Sequence, residues 1–210
     1  MSELVLRTAT GVVMIVVALF AAIEGGYALA VLAAAAATAV FYEWTRLTKG
    51  WGIHWYVGGF VYSALAALAL LWVRERARQG PDLLLWIFIV VWSTDIGAYA
   101  VGRAIGGAKL APAISPGKTW AGFYGGVAVA TVLGGIWVVF TGLPKVLLLL
   151  APLFAAAAQG GDLFESWMKR RAGVKDSGRC LPGHGGVFDR LDGLLPVAIL
   201  TGIVVMAGVA

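Results

Sequence analysis

The chain has 210 residues, of which 60% are hydrophobic and 13% charged, with nine tryptophans and one cysteine, Cys180. This composition excludes an ordinary soluble domain, because long apolar runs with few charges are typical of proteins that have a lipid bilayer as their solvent. The formal net charge of +5 is compatible with binding to anionic lipid headgroups. A nucleic-acid partner is not indicated, because the sequence shows no soluble module that could carry a basic face.

Seven apolar runs are long enough to cross a bilayer as helices, which takes about 20 residues. They lie at residues 8–23, 27–43, 55–73, 83–101, 120–141, 146–164 and 194–210. The sequence therefore predicts an all-α polytopic integral membrane protein with about seven transmembrane helices, in a single membrane domain over residues 1–210. The first run lacks the small-residue cleavage site of a signal peptide, so we expect it to be a membrane helix.

Basic residues predict the orientation, because cytoplasmic loops carry the excess of lysine and arginine. With a cytoplasmic N-terminus, twelve of the sixteen basic residues fall on the cytoplasmic side. The four on the opposite side are Lys145 and three arginines of the cluster RERAR, Arg74, Arg76 and Arg78. This orientation places the loops 102–119 and 165–193 in the cytoplasm.

Polar residues divide the chain into a scaffold part and a functional part. Residues 1–80 are predicted to be scaffold helices, whereas residues 90–193 contain nearly all polar groups at or inside the spans. Asp95 lies within the fourth apolar run, where a carboxylate costs about 3 kcal/mol on insertion scales. This cost favours a functional Asp95 in a polar cavity over the alternatives that Asp95 lies near a helix end or pairs with Arg103.

The turn before the fifth run contains several hydrogen-bond donors, Ser115, Lys118 and Thr119, followed by Trp120. Its GKT triplet is similar to the end of a nucleotide-binding P-loop, but Pro112 stands where that motif requires glycine. The turn is therefore either a phosphate-binding turn or a set of interfacial anchors, and both interpretations remain open.

A polar stripe ends the sixth run. Asp162, Glu165, Ser166 and Lys169 are spaced at i, i+3, i+4 and i+7, so a helix places their side chains on one face. The stripe is either part of a site or a solvated helix end with surface salt bridges.

The segment KDSGRCLPGHGGVFDRLDG, residues 175–193, combines glycines with both signs of charge. Glycines allow backbone N–H groups to surround a phosphate, and acids in such a site require a cation between them and the phosphate. Hard carboxylate ligands suit Mg²⁺, with Asp162 and Asp189 as the natural pair. His184 is not predicted to bind zinc, because the only other histidine is the distant His54.

These segments resemble the phosphatidate cytidylyltransferases, the CDP-diacylglycerol synthases. The resemblance rests on S-x-x-K-R-x4-K-D and P-G-H-G-G-x-x-D-R-x-D, which begin at Ser166 and Pro182, and on the upstream segments around Asp95 and Lys118. It implies transfer of CMP from CTP to phosphatidate, with release of pyrophosphate, by a multi-pass enzyme of the inner (plasma) membrane. It leaves a homodimer open.

The resemblance also implies roles for individual residues. Asp162 and Asp189 would bind Mg²⁺. The implied catalytic residues are Asp162, Lys169, Lys175, Asp189 and Arg190, and the implied substrate-binding residues are Asp95, Ser115, Lys118, Thr119, Ser166, Arg170, Asp176, His184, Gly185 and Gly186.

Two alternatives differ in substrate or in class. The first is a sister enzyme that uses CTP on another lipid phosphate or on a polyprenol, such as a CDP-archaeol synthase. The second is an ion-coupled transporter with Asp95 and Asp162 on its pathway, although the chain shows no inverted halves and a transporter would not explain the glycine-rich segment.

Overall fold

The computed structural model describes residues 3–76, 79–181 and 183–208. In order along the chain, its elements are α1 (Glu3–Glu24), α2 (Gly26–Leu47), α3 (Ile53–Arg74), α4 (Gly80–Ile105), β1 (Lys109–Ala111), β2 (Ser115–Thr119), α5 (Trp120–Thr141), α6 (Val146–Arg171), α7 (Phe188–Leu191) and α8 (Leu194–Met206). Arg78, Pro182 and the last two residues of the seventh predicted span lie outside the described residues.

The helices confirm an all-α polytopic membrane protein. Five of them, α2 to α6, are long and apolar enough to cross a membrane by length and composition. Shorter apolar helices at Thr8–Glu24 and Leu194–Met206 coincide with the first and last predicted spans. Length and composition therefore support five of the seven predicted spans directly.

Helix α4 forms the centre of the bundle. Its side chains Leu83, Leu84, Trp86, Ile87 and Val90 are all at most 1% exposed. A helix that is apolar on every face is expected where other helices surround it. The central position of α4 fixes the depth of Asp95, which lies further along the same helix.

Helices α4 and α5 approach each other closely because α5 carries glycines at the contact. A Cβ at Gly122 would lie 2.8 Å from the carbonyl oxygen of Ala98, and one at Gly126 would lie 2.7 Å from that of Thr94. Small residues four positions apart allow this backbone contact in membrane helices. The close contact brings the start of α5 beside α4.

The arginine cluster that violates the charge rule caps helix ends. Arg74 donates from Nε to the carbonyl of Ala22 at 2.7 Å and from Nη2 to that of Ile23 at 2.6 Å. Arg76 donates to the carbonyl of Val205 at 2.8 Å, near the end of α8. Carbonyls in the last turn of a helix lack intrahelical donors and carry partial negative charge, which explains these cations.

A short hairpin and a short helix complete the polar end of the bundle. Strands β1 and β2 pair antiparallel between α4 and α5, and Thr119 caps α5 by accepting a hydrogen bond from the N–H of Gly122 at 3.0 Å. Helix α7 packs in a second core, where its Phe188 lies 5.8 Å from Trp44 between ring centroids.

We expect Gly126→Ala to destabilise the bundle by about 1–3 kcal/mol, because its Cβ would overlap the backbone of α4 and force the helices apart. The matched control is Gly58→Ala in α3, where a Cβ meets nothing within 4 Å. That control should be neutral or stabilising by about 0.5–1 kcal/mol, because alanine restricts the unfolded chain. Thermal unfolding of the purified protein in detergent measures both, and equal midpoints would contradict the packing argument.

Candidate active site

The polar residues of the functional part converge on a cavity of about 370 Å³ at one end of the bundle. Helix α4 contributes one side chain, α6 five, the segment after α6 two, and the region of α7 three. The lining residues are Asp95, Asp162, Glu165, Ser166, Lys169, Arg170, Lys175, Asp176, Asp189, Arg190 and Asp192. Nine of the side chains predicted from sequence therefore meet in one place.

The stripe on α6 is one wall of the cavity. Ser166 Oγ donates to Asp162 Oδ1 at 3.3 Å, and the ammonium of Lys118 lies 2.5 Å from Asp162 Oδ2. The hairpin thereby carries Lys118 to the carboxylate of α6. The stripe is part of an internal ion-pair network instead of a solvated helix end.

Lys169 connects two acids at the base of the cavity. Its Nζ lies 2.6 Å from Glu165 Oε2 and 2.6 Å from Asp189 Oδ1. The side chains of Glu165 and Asp189 are only 1% and 6% exposed. Because an unpaired buried carboxylate costs several kcal/mol, this shared ammonium holds α6 and α7 in a fixed relation.

Asp189 receives further donors from the glycine-rich segment. Its Oδ2 accepts hydrogen bonds from the backbone N–H of Ser177 at 3.0 Å and of Gly186 at 2.8 Å, and lies 3.0 Å from the Ser177 hydroxyl. Burial alone would raise the pKa of Asp189, but hydrogen bonds with Glu165, Lys169 and the Gly186 N–H lower it to about 2. Asp189 is thus ionised throughout the physiological range.

Three other carboxylates point at a common centre. Asp162, Glu165 and Asp192 each offer an oxygen, and these oxygens lie within 4.8 Å of one another. Burial, and then the neighbouring charge of Asp162, raises the pKa of Asp192. Convergent oxygens of this kind suit a hard divalent cation such as Mg²⁺.

Asp95 faces the same cavity from α4. Among the residues that the structure describes, it forms no ion pair with Arg103. The pair with Arg103 is therefore not what is observed, and Asp95 adds a carboxylate from α4 to the lining of the cavity.

Several residues predicted to bind substrate are not among the residues that line the cavity. Thr119 is 6% exposed and its hydroxyl caps α5, and Ser115 begins β2. Gly185 adopts φ 82° and its carbonyl accepts from Leu181 N–H at 3.0 Å. The carbonyl of His184 accepts from Arg190 Nε at 3.2 Å, while its imidazole lies against Gly11 of α1. These contacts order the loop around the site.

Three acids at or beside the site carry roles that the sequence reasoning did not assign. Glu165 belonged to the predicted stripe and Asp192 to the motif, yet neither was assigned to the site. Glu43 lies in α2, within the part predicted as scaffold, and is fully buried against the glycine-rich segment. Its signal was available, because a carboxylate inside an apolar run carries the same cost that singled out Asp95.

The bundle and its polar cavity define an integral membrane protein whose acids and bases are gathered between α4, α6, α7 and the segment that follows α6. The profile of the cytidylyltransferase family matches residues 48–207. A protein of Brucella suis biovar 1 (strain 1330) named phosphatidate cytidylyltransferase is 37% identical, and the alignment covers 95% of this chain and 92% of the relative. The chain belongs to the cytidylyltransferase family and is a nucleotidyltransferase.

Two further relatives with the same name match over more than half of this chain. The protein of Bacillus subtilis (strain 168) is 44% identical over 64% of this chain and 51% of its own length. The protein of Haemophilus influenzae (strain ATCC 51907 / DSM 11121 / KW20 / Rd) is 48% identical over 55% of this chain and 43% of its own length. Family membership confirms the resemblance inferred from the motifs.

We expect Asp189→Asn to lower the stability of the metal-free protein by about 2 kcal/mol at pH 7, since one pKa unit corresponds to about 1.4 kcal/mol. The pKa of Asp189 is lower in the folded state, so its contribution is present above about pH 4 and is lost as the pH falls towards 2. The difference in thermal midpoint between wild type and variant, measured from pH 7 to pH 3, should narrow below about pH 4. A difference that stays constant over this range would contradict the assignment.

Proposed function

We propose that this protein is a CTP:phosphatidate cytidylyltransferase, which forms CDP-diacylglycerol and pyrophosphate for phospholipid synthesis. The observation that carries the proposal is the cavity at the end of α6, where acids and bases meet at the boundary of the membrane-spanning helices. A water-soluble nucleotide and a lipid phosphate can both reach such a place. The similarity of nearly the whole chain to a relative named phosphatidate cytidylyltransferase supports the same substrate.

The chemistry fits a site made mainly of charges. An anionic phosphate oxygen of phosphatidate attacks the α-phosphorus of CTP, and a new oxygen–phosphorus bond forms. The bond from the α-phosphorus to the bridging oxygen of the β-phosphate breaks, and pyrophosphate leaves with the electron pair. Because the attacking oxygen is already ionised, the protein needs no strong general base and works by positioning and by charge stabilisation.

Basic side chains of the cavity would position the two polyanions. Lys169, Lys175 and Arg190 are proposed to contact the triphosphate and the lipid phosphate, together with Arg170 and Lys118. Arg170 lies at the hairpin side of the cavity, since its Nε donates to the carbonyl of Ile114 at 3.2 Å. This contact would let the hairpin and α6 act on the same substrate.

A divalent cation, most simply Mg²⁺, fits the oxygens that the cavity offers, and when bound it would neutralise charge on the phosphates. We propose Asp162 as one ligand. The resemblance to the family pairs it with Asp189, whereas the convergence of oxygens pairs it with Glu165 and Asp192. A metal-binding experiment separates the two sets.

The basic loops favour a cytoplasmic orientation of this cavity in the inner membrane, where CTP is available. Sister reactions on ether lipid phosphates or on polyprenols differ in the apolar part of the substrate, which grooves discriminate weakly. They are therefore separated by assay. Membership in the cytidylyltransferase family disfavours the transporter alternative.

We expect the purified protein to convert CTP and phosphatidate into CDP-diacylglycerol with release of pyrophosphate. The measurement supplies CTP and Mg²⁺ with phosphatidate, an archaetidic ether phosphate or a polyprenol, one at a time, and separates the lipid products. Phosphatidate should give the highest kcat/KM. Product from the ether phosphate or the polyprenol alone would overturn the proposed substrate.

We expect Asp162→Asn to weaken binding of Mn²⁺, used as a paramagnetic substitute for Mg²⁺, by about tenfold or more. Electron paramagnetic resonance counts free Mn²⁺ without any turnover. Asp189→Asn and Asp192→Asn, tested beside it, identify the second ligand as the variant with a comparable loss. The exposed Glu75→Gln is the control, and wild-type affinity in Asp162→Asn would exclude this metal position.

A further inference from the structure

Glu43 is a fully buried acid whose hydrogen-bond donors come from the glycine-rich segment. Oε1 accepts from the backbone N–H of Val187 at 3.0 Å. Oε2 accepts from the backbone N–H of Phe188 at 2.8 Å and from the hydroxyl of Ser177 at 2.8 Å. One carboxylate of the scaffold thus holds the start of α7 and the segment before it, across more than 130 residues of chain.

The segment is shaped to admit this carboxylate. A Cβ at Gly178 would overlap the Glu43 carboxylate, and a Cβ at Gly186 would overlap both Glu43 and the hydroxyl of Ser177. Glycine at these two positions lets the backbone close around the acid. Trp44, the next residue of α2, packs against the ring of Phe188, so adjacent residues of α2 hold both the backbone and the side chain of α7.

Ser177 links Glu43 to the base of the cavity. Its hydroxyl oxygen lies 2.8 Å from Glu43 Oε2 and 3.0 Å from Asp189 Oδ2, while its backbone N–H donates to Asp189 at 3.0 Å. Asp189 in turn contacts Lys169. A displacement of this segment would therefore reach two residues that line the cavity.

We propose that Glu43 is a positioning residue for the cytidylyltransferase reaction, which acts through Ser177 and α7 on the placement of Asp189, Lys169 and Arg190. This proposal rests on the proposed function for its activity readout. A carboxylate inside an apolar membrane helix is energetically costly. The Glu43 carboxylate nevertheless holds the segment that carries Asp189 and Arg190, two charged residues that line the cavity. Residue 43 precedes the range that the family profile matches.

The test uses Glu43→Gln in the full-length purified protein. Glutamine has nearly the same shape as glutamate but only one acceptor oxygen. Its NH₂ group would therefore face a backbone N–H group, and that N–H would lose its hydrogen-bond acceptor. An unpaired N–H group is costly in a buried position. The KM for CTP should rise and kcat/KM for CTP should fall by about tenfold or more, and kcat/KM for phosphatidate should fall with it, because Lys169 and Arg190 are proposed to contact both substrates. Glu24→Gln, an exposed acid at the end of α1, is the matched control and should match wild type.

Ser177→Ala provides a second variant, which removes only a hydroxyl and avoids a failure to fold. If Glu43 acts through Ser177, the double variant should lose less activity than the product of the two single losses, because contacting residues are not additive. A double loss equal to that product would show that Glu43 acts independently of Ser177 and would overturn this part of the proposal, leaving the hydrogen bonds to the N–H groups of Val187 and Phe188 as its route.

Two other outcomes also overturn it. Glu43→Gln with wild-type KM and kcat for CTP would exclude a positioning role. A lower thermal midpoint with unchanged kinetics in the folded fraction would also exclude it, since that result describes a structural residue.

Equilibrium binding of CTP in the presence of Mg²⁺ separates this proposal from the proposed function. Wild type that binds CTP but makes no CDP-diacylglycerol contradicts the function alone, and a weaker affinity in Glu43→Gln still supports Glu43 as a positioning residue.

Discussion

The ammonium of Lys169 between two nearly buried acids is the interaction on which the polar half of the bundle depends. Its Nζ lies 2.6 Å from an oxygen of Glu165 and 2.6 Å from an oxygen of Asp189, so one ammonium serves both carboxyl groups. The remaining stabilisation of Asp189 comes from the backbone N–H groups of Ser177 and Gly186. The chain after α6 must therefore fold back onto α6, so that these N–H groups reach Asp189. This requirement explains why a glycine-rich segment, and not a simple loop, connects α6 to the next helix.

Close helix packing determines how the other side of the cavity is assembled. The glycines of α5 allow contact with the backbone of α4, and Thr119 ends the hairpin by capping α5. Lys118 precedes that cap, so the contact between α4 and α5 delivers its ammonium to Asp162 on α6. Three segments that are distant in sequence thus meet because backbone packing, and no additional domain, positions them.

Patterns with a short period predicted most of the site. The stripe from Asp162 to Lys169 follows from helix geometry alone, and the motif that ends at Asp192 identified the family. Long-range partners were not predictable in this way. Arg74 and Arg76 appeared as violations of a charge rule because their acceptors, the terminal carbonyls of α1 and α8, are backbone groups that carry no sequence signal. Glu43 lies in an apolar helix, and two of its partners are likewise backbone N–H groups far along the chain, beside the hydroxyl of Ser177.

The net charge of the residues that line the cavity bears on how the cavity could bind phosphate groups. Six acids and four bases line it, so its formal charge is −2, and Lys118 at its edge reduces this to −1. A nucleoside triphosphate and a lipid phosphate would both meet repulsion in such a cavity at low dielectric. A divalent cation bound with the nucleotide would reverse that sign, because it would add two positive charges beside oxygens such as those of Asp162, Glu165 and Asp192. On this proposal, the acids would make nucleotide binding depend on metal, and the bases would then hold the phosphates.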